Sequence, residues 1–132
     1  MKPKMPEPHV FEYAVLRIVP KVEREEFINA GVILHCGPLR FLDVKWNLDE
    51  ALLKSFSPDL DIEEVKANLC AFDVICRGGT EGGTIGLLDM PGRFRWLTAT
   101  RSTILQPSSV HPGYTTDPQA TLDRLFEQLV LR

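Results

Sequence analysis

The stretch YAVLRIVPKVEREEFINAGVILHC, residues 13–36, decides the fold class of this chain of 132 residues. Two apolar runs, residues 13–19 and 30–36, flank a link at residues 21–26 in which five of the six residues are charged. The runs are rich in valine, isoleucine and leucine, and they are short. They therefore predict buried β-strands rather than helices.

The first strand is expected over residues 10–19, where both alternating faces are mainly apolar. A strand with two apolar faces is covered on both sides, which predicts a central place in the sheet. Pro20 ends this strand because proline has no N–H group to donate to a neighbour. The second strand is expected over residues 30–36 and, after a turn at residues 36–39, a half-exposed antiparallel strand follows over residues 39–46.

The middle of the chain predicts two helices followed by a glycine-rich loop. A short helix is expected over residues 49–56, and a longer one begins at Asp61, where Glu64 three residues later gives a capping-box pattern. Its apolar residues recur at spacings of three and four and predict one buried face: Ile62, Val65, Leu69, Phe72 and Cys76. This helix is expected to end by Gly78, and the five glycines in residues 78–86 predict a flexible loop.

The last third of the chain ends in a helix that the sequence predicts clearly. Residues 90–92, Met-Pro-Gly, are expected to interrupt regular structure, and residues 94–101 fit either a helix or an irregular segment. Residues 103–106 predict a last short strand, and residues 108–116 predict a loop. The Asp-Pro pair at residues 117–118 predicts a helix start, because aspartate caps and proline suits the first helical position. An apolar stripe follows: Leu122, Leu125, Phe126, Leu129 and Val130.

Together these signals predict an α+β fold. We expect an antiparallel sheet of about four strands with packed helices, including an amphipathic C-terminal helix. Residues 1–9 hold three prolines and predict a disordered N-terminal tail. Because no repeat or change in composition divides the remainder, residues 10–132 are expected to form a single α+β domain.

Composition narrows the possible functions and the cellular location. The net charge is −3, so the chain lacks the basic field typical of nucleic-acid binding. No apolar run approaches the roughly 20 residues that a membrane span needs, and the N-terminus lacks the apolar region of a signal peptide. Cys36, Cys70 and Cys76 form no CxxC pair, which favours free, mostly buried thiols in a reducing compartment. We therefore expect a cytoplasmic protein with no membrane association.

No complete catalytic, cofactor or metal motif is present. His111 lies near Ser108 in the sequence, but the chain has no nucleophile elbow around a serine. His35 and Cys36 point to opposite faces of one strand, so they cannot ligate one metal ion together. The glycine-rich residues 78–86 lack the Lys-Ser/Thr end of a phosphate-binding loop. We expect no catalytic residue, metal or cofactor, and interaction is favoured over catalysis.

Two segments taken together resemble the bacterial domain-of-unknown-function family numbered 3037. They are LRIVP…EFINAGVIL, within residues 16–34, and TRSTILQPSSVHPG followed by DPQATLDRLFEQLV, within residues 100–130. The resemblance covers nearly the whole chain, although residues 47–92 match only in helical character. It implies a small bacterial protein with no assigned activity, often encoded beside a HipA-like serine/threonine kinase. That kinase is therefore the partner that the resemblance suggests.

Arg17 is the first candidate functional residue, because it shares a strand face with Tyr13 and Val15. Burying an unpaired guanidinium is costly, so Arg17 requires an acidic partner, a ligand or a route to solvent. Glu26 and Asn29 precede the second strand and are candidate partners if the two strands pair. A structural ion pair with Glu26 and a ligand-binding role are the two alternatives.

Arg101 and His111 are the second pair of candidates, since they bracket a hydroxyl-rich loop before the helix start at Asp117. Arginine and loop amides favour phosphate. A site formed by Arg17, Arg101 and His111, with Glu26 as acid or base, would define an anion-, nucleotide- or nucleic-acid-binding protein that handles phosphoryl groups. We favour a non-catalytic protein-interaction module, and a phosphate-bearing ligand is the alternative.

Overall fold

The computed structural model describes residues 7–101 and 103–131. The N-terminal tail expected over residues 1–9 falls largely outside the described residues, since residues 1–6 are among those not described. The first strand begins at His9.

A five-stranded antiparallel sheet forms the centre of the fold. Its strands are β1 (His9–Ile18), β2 (Ile28–Cys36), β3 (Phe41–Trp46), β4 (Leu105–Pro107) and β5 (His111–Thr115). Along one edge β1 pairs with β2, which in turn pairs with β3. Along its other edge β1 pairs with β5 over its first half and with β4 near its end. This confirms β1 as the central strand.

Helices cover both faces of the sheet. They are α1 (Glu50–Phe56), α2 (Ile62–Arg77), α3 (Gly83–Gly86), α4 (Met90–Leu97) and α5 (Pro118–Leu129), with 3-10 turns at Val22–Arg24 and Thr80–Gly82. One face of the sheet packs against α1, α2 and α4 in a core that includes Leu16, Ile33 and Phe94. The other face packs against α5 through Val32 and Leu34. The α+β prediction, including the amphipathic C-terminal helix, is confirmed.

Aspartate side chains begin the four longer helices. Asp49, Asp61, Asp89 and Asp117 each accept a hydrogen bond from the backbone N–H three residues later, at 2.8–3.2 Å. The starts predicted at residues 61 and 117–118 are confirmed. The interruption predicted at residues 90–92 is wrong, because these residues form the first turn of α4. Proline near a helix start costs no hydrogen bond, and the Asp89 carboxylate caps the turn.

The loop predicted over residues 108–116 is also wrong in part, since it contains β5. Ser108 joins β4 and β5 to β1: Val15 N–H donates to Ser108 Oγ at 2.8 Å, and Ser108 N–H donates to the Val15 carbonyl at 2.7 Å. Pro112 and Gly113 favour a loop at the level of sequence. An edge strand tolerates proline, and Gly113 lies against the ring of Phe11, where a Cβ atom would be 2.6 Å from Cζ.

The glycine-rich residues 78–86 are more regular than expected. They contain a 3-10 turn and the single helical turn α3. Gly78 and Gly79 have positive φ angles of 80° and 102°, a conformation that favours glycine. The N–H group of Gly79 donates to the Gly86 carbonyl at 2.8 Å and closes the segment.

Candidate functional site

A row of polar residues crosses three strands at one end of the sheet. Arg17 in β1 is opposite Asn29 in β2 and opposite Gln106 in β4. Because successive residues of a strand point to opposite faces, Arg17 points away from Ile18, which is buried in the core beneath α2. Arg17 therefore lies on the face that packs against α5. Asn29 Nδ2 donates a 3.0 Å hydrogen bond to the Leu129 carbonyl at the end of that helix.

The Arg17 guanidinium lies over the ring of Phe27, with 4.2 Å between Cζ and the ring centroid. Phe27 is 43% exposed, so this contact is at the surface, whereas the Arg17 Nε atom is buried. Within residues 7–101 and 103–131, the guanidinium forms no ion pair and Nε has no hydrogen-bond partner. We refer to Arg17, Phe27, Asn29 and Gln106 as the Arg17 cluster.

Glu26 does not form the ion pair with Arg17 that the sequence suggested. It accepts instead from Arg24 Nε at 2.5 Å, and both side chains are exposed. The 3-10 turn at Val22–Arg24 ends at Glu25, whose φ of 54° is left-handed, and this local turn lets residues two apart meet. An exposed pair of this kind contributes at most about 1 kcal/mol. No carboxylate of the link at residues 21–26 therefore forms an ion pair with the Arg17 guanidinium.

Asn29 connects the Arg17 cluster to the end of α5. Its Nδ2 group is bonded to α5, whereas its Oδ1 atom is buried with no hydrogen-bond partner among the residues described. A cavity of about 170 Å³ adjoins Asn29, Leu48 and Val130. This volume is below the roughly 300 Å³ at which small-molecule sites begin, and the hydrogen bond to Leu129 ties Asn29 to the end of α5.

Arg101 and His111 lie in two other places. Arg101 stacks on Trp96, with 4.4 Å between Cζ and the ring centroid, and its Nη2 group donates to the Trp96 carbonyl. Burial lowers the pKa of Arg101. His111 is exposed in β5, and its ring centroid is 5.3 Å from that of Tyr13. Tyr13 and Arg17 are four residues apart in one strand, a separation of roughly 13 Å. The structure does not bring Arg17, Arg101 and His111 into one site.

His35 is a buried residue to which the sequence gave no functional role. It is 9% exposed, its ring stacks on Phe94 with 5.2 Å between centroids, and its Nε2 atom has no hydrogen-bond partner in the described part of the chain. Burial lowers the pKa of His35, an effect that nearby Glu12 opposes and nearby Arg95 reinforces. A neutral imidazole is therefore the stable form in the folded protein.

This depressed pKa predicts a pH-dependent stability. Below the ordinary histidine value of 6.5, the unfolded chain binds a proton that folded His35 does not, so acid favours unfolding. We expect the free energy of unfolding to fall as the pH is lowered from about 7.5 to about 5.5, and to fall less in His35→Gln. Denaturant titrations at both pH values measure this difference. Parallel pH profiles for the two proteins would contradict it.

The remaining reactive groups do not form a second site. Cys36 and Cys76 are buried and Cys70 is exposed, so the expectation of mostly buried thiols holds for two of three. Burial raises the pKa of Cys76 to about 12, which leaves its thiol inert near neutral pH. Among the described residues, no three His, Cys, Asp or Glu side chains are placed to hold a metal ion. In the same part of the chain, no helix is long and apolar enough to cross a membrane.

Comparison with known proteins adds a family but no activity. The family described as proteins of unknown function, DUF3037, matches residues 13–130, from β1 to just past the end of α5. No curated protein and no solved structure matches the chain. The Arg17 cluster lies within the matched region, and its role has to be argued from its own chemistry.

Proposed function

Since the chain belongs to the DUF3037 family, which has no assigned activity, we propose that it is a non-catalytic protein-interaction module. Its docking surface is the Arg17 cluster, and the partner supplies an acidic segment whose carboxylate meets the Arg17 guanidinium. The observation that carries this proposal is the half-buried position of Arg17 without an ion pair among the described residues.

The energetics of a half-buried guanidinium support an external anion. Desolvation without a compensating charge is unfavourable, so the free protein keeps a cation that a partner's carboxylate would stabilise. Stacking on Phe27 restricts the guanidinium and leaves less side-chain entropy to lose on binding. Arginine in this arrangement suits bidentate contact with a carboxylate.

The surroundings of Arg17 have the composition of an interface. Phe27 is 43% exposed, and Val22 in the same β1–β2 connection is 49% exposed. Aromatic residues and arginine carry a large share of the binding energy at protein interfaces, with exposed apolar groups beside them. An apolar residue of the partner next to its acidic residue would cover Phe27.

We propose a HipA-like serine/threonine kinase as the partner, as the family's gene neighbourhood suggests. We place the partnership in the cytoplasm of a bacterium. The exposed, free Cys70 thiol is consistent with a reducing compartment. This proposed interaction requires no catalytic residue in the chain.

The test is binding of a HipA-like serine/threonine kinase to wild-type protein and to Arg17→Met, measured by calorimetry. Loss of a central arginine contact is expected to weaken binding about 30-fold. Arg17→Met should change the free energy of unfolding by less than about 1 kcal/mol, because it leaves no buried carboxylate uncompensated. Arg124→Met, at an exposed position of α5, is the matched control and should bind like wild type.

Each alternative result is informative. Equal affinities of wild type and Arg17→Met would place docking elsewhere, and no binding of the kinase by wild type would reject that partner. Destabilisation by about 3–5 kcal/mol in Arg17→Met would mean that an internal anion pairs with Arg17.

A phosphate-bearing ligand is the second candidate, because the same unpaired guanidinium favours phosphate oxygens. It would rest on Arg17 without help from Arg101 or His111, which lie elsewhere. Thermal titration with inorganic phosphate and ATP separates the two candidates. A stabilisation of roughly 2.7 kcal/mol at a hundredfold excess over the dissociation constant, lost in Arg17→Met, would favour the phosphate ligand.

A further inference from the structure

A groove of about 520 Å³ lies between α2 on one side and Trp96, Arg101 and residues 103–105 on the other. This volume is within the range of roughly 300–1,000 Å³ typical of small-molecule sites. The groove is on the face of the sheet opposite Arg17, because the lining residue Phe72 belongs to the core beneath α2 and Ile104 packs against that core.

The groove is lined mainly by apolar groups. Ala71, Phe72 and Ile75 of α2 form one side, and Trp96 lies across from them, 38% exposed. Ala71 is itself exposed and has a small side chain, which leaves the middle of the groove open. An apolar body of a ligand would bury the Trp96 ring against these aliphatic and aromatic side chains.

Arg101 supplies a cation at the edge of the groove. One of its five N–H groups donates to the Trp96 carbonyl, and the guanidinium is held over the Trp96 ring. Across the ranges 7–101 and 103–131, no carboxylate lies within ion-pair distance of Arg101. Glu64 also lines the groove and would repel a ligand with several negative charges.

We propose that this groove binds a small apolar monocarboxylate with an aromatic or branched aliphatic body. The carboxylate accepts hydrogen bonds from the free N–H groups of Arg101, and the apolar body lies between Trp96 and Ala71. A nucleotide fits less well, because the Glu64 carboxylate opposes a polyanion. This site does not depend on the proposed docking surface.

The first test blocks the groove sterically. 1-Naphthoate and 4-phenylbutyrate are titrated into the full chain, with binding followed by tryptophan fluorescence and calorimetry. Wild type should bind at least one of them saturably, and Ala71→Phe should lose this binding. Ala67→Phe, at another exposed position of α2 that does not line the groove, should bind like wild type. Thermal melting of each variant checks that it is folded.

The second test examines charge. Arg101→Met should bind 1-naphthoate at least about tenfold more weakly, since it removes a charge-assisted hydrogen bond. The neutral isostere 1-naphthamide should bind wild type more weakly than 1-naphthoate by a similar factor. The proposal is overturned if wild type binds neither carboxylate at millimolar concentration, if Ala71→Phe binds as tightly as wild type, or if the amide and the carboxylate bind equally.

Discussion

Replacing Phe126 with alanine is expected to lower the free energy of unfolding by about 3–5 kcal/mol, the usual cost of truncating a buried phenylalanine. Phe126 is 6% exposed and packs with Val32 and Leu34 in the core between α5 and the sheet. Lys45 Nζ lies over the Phe126 ring, 5.1 Å from its centroid, so the side chain also makes a cation–π contact. The alanine variant would leave a cavity and uncover this face of β2.

Thermal and denaturant unfolding measure the effect. Tyr114→Ala is the matched control, because this aromatic residue is 74% exposed in β5 and its loss should cost far less. A melting temperature unchanged in Phe126→Ala would mean that α5 contributes little to the folded domain. Its apolar stripe would then be available to a partner, and the interaction surface would have to be sought there.

The elements predicted correctly are those whose signals are local. The start of α5 is encoded by Asp117 and Pro118, and its stripe of apolar residues becomes a buried face: Leu122, Leu125, Phe126 and Val130 are buried and Leu129 is half-buried. The central place of β1 followed from its two apolar faces in the same way. These patterns repeat at the period of the element that they form, so neighbouring residues alone determine them.

The two elements predicted wrongly differ in cause: β5 depends on a distant strand, whereas α4 depends on a local cap. β5 contains Pro112 and Gly113, which favour a loop locally, and it becomes a strand only because the first half of β1, about a hundred residues earlier, offers a free edge. Helix α4 begins with Met90-Pro91-Gly92, and only the cap from Asp89 distinguishes that run from a break. Propensity is a weak guide where tertiary pairing decides.

The candidate site was predictable in part. Arg17 was identified as a candidate because it is a charged residue within an apolar strand. Its contact with Phe27 could not be predicted from the sequence. Residue Ala30 is bulged out between the pairs Leu16–Gly31 and Arg17–Asn29, so the register across the two strands shifts at this point. A shift of one residue exchanges the faces of a strand, so sequence spacing alone, which suggested Glu26 and Asn29, could not identify Phe27 as the contact.

Of the residues that line the groove, the sequence identified only Arg101 as a candidate. The lining residues come from α2, α4, β4 and the described residues between α4 and β4, and they are separated by up to about forty positions in the chain. In α2 the groove is lined by the half-buried Asn68 and Ile75 and the exposed Ala71, a mixture that is ordinary for a surface helix. Only their placement opposite Trp96 makes them part of a groove, and that placement requires the folded chain.

Gly31→Ala is expected to destabilise the protein by about 1–3 kcal/mol, because the site has no room for a methyl group. An added Cβ atom would lie 2.8 Å from the Lys45 carbonyl oxygen and 2.9 Å from Trp46 Cβ. These atoms belong to the paired backbone of β3 or are fixed to it, so they cannot move away without opening the β2–β3 ladder. Gly31 follows the bulge at Ala30, whose carbonyl accepts the N–H group of Asn47 at 2.8 Å.

Gly37→Ala is the matched control for this prediction. Gly37 is exposed in the β2–β3 turn, and a Cβ atom there would meet no heavy atom closer than 3.8 Å, the Cε1 atom of His35. Without strain, replacing glycine with alanine stabilises by about 0.4–1 kcal/mol through the unfolded chain. Denaturant unfolding should therefore give a lower free energy of unfolding for Gly31→Ala than for wild type, and a higher one for Gly37→Ala. Equal stabilities would mean that β2 and β3 separate at this end at little cost, and that the glycine of the Glu-x-x-Asn-x-Gly-Val segment serves something other than strand packing.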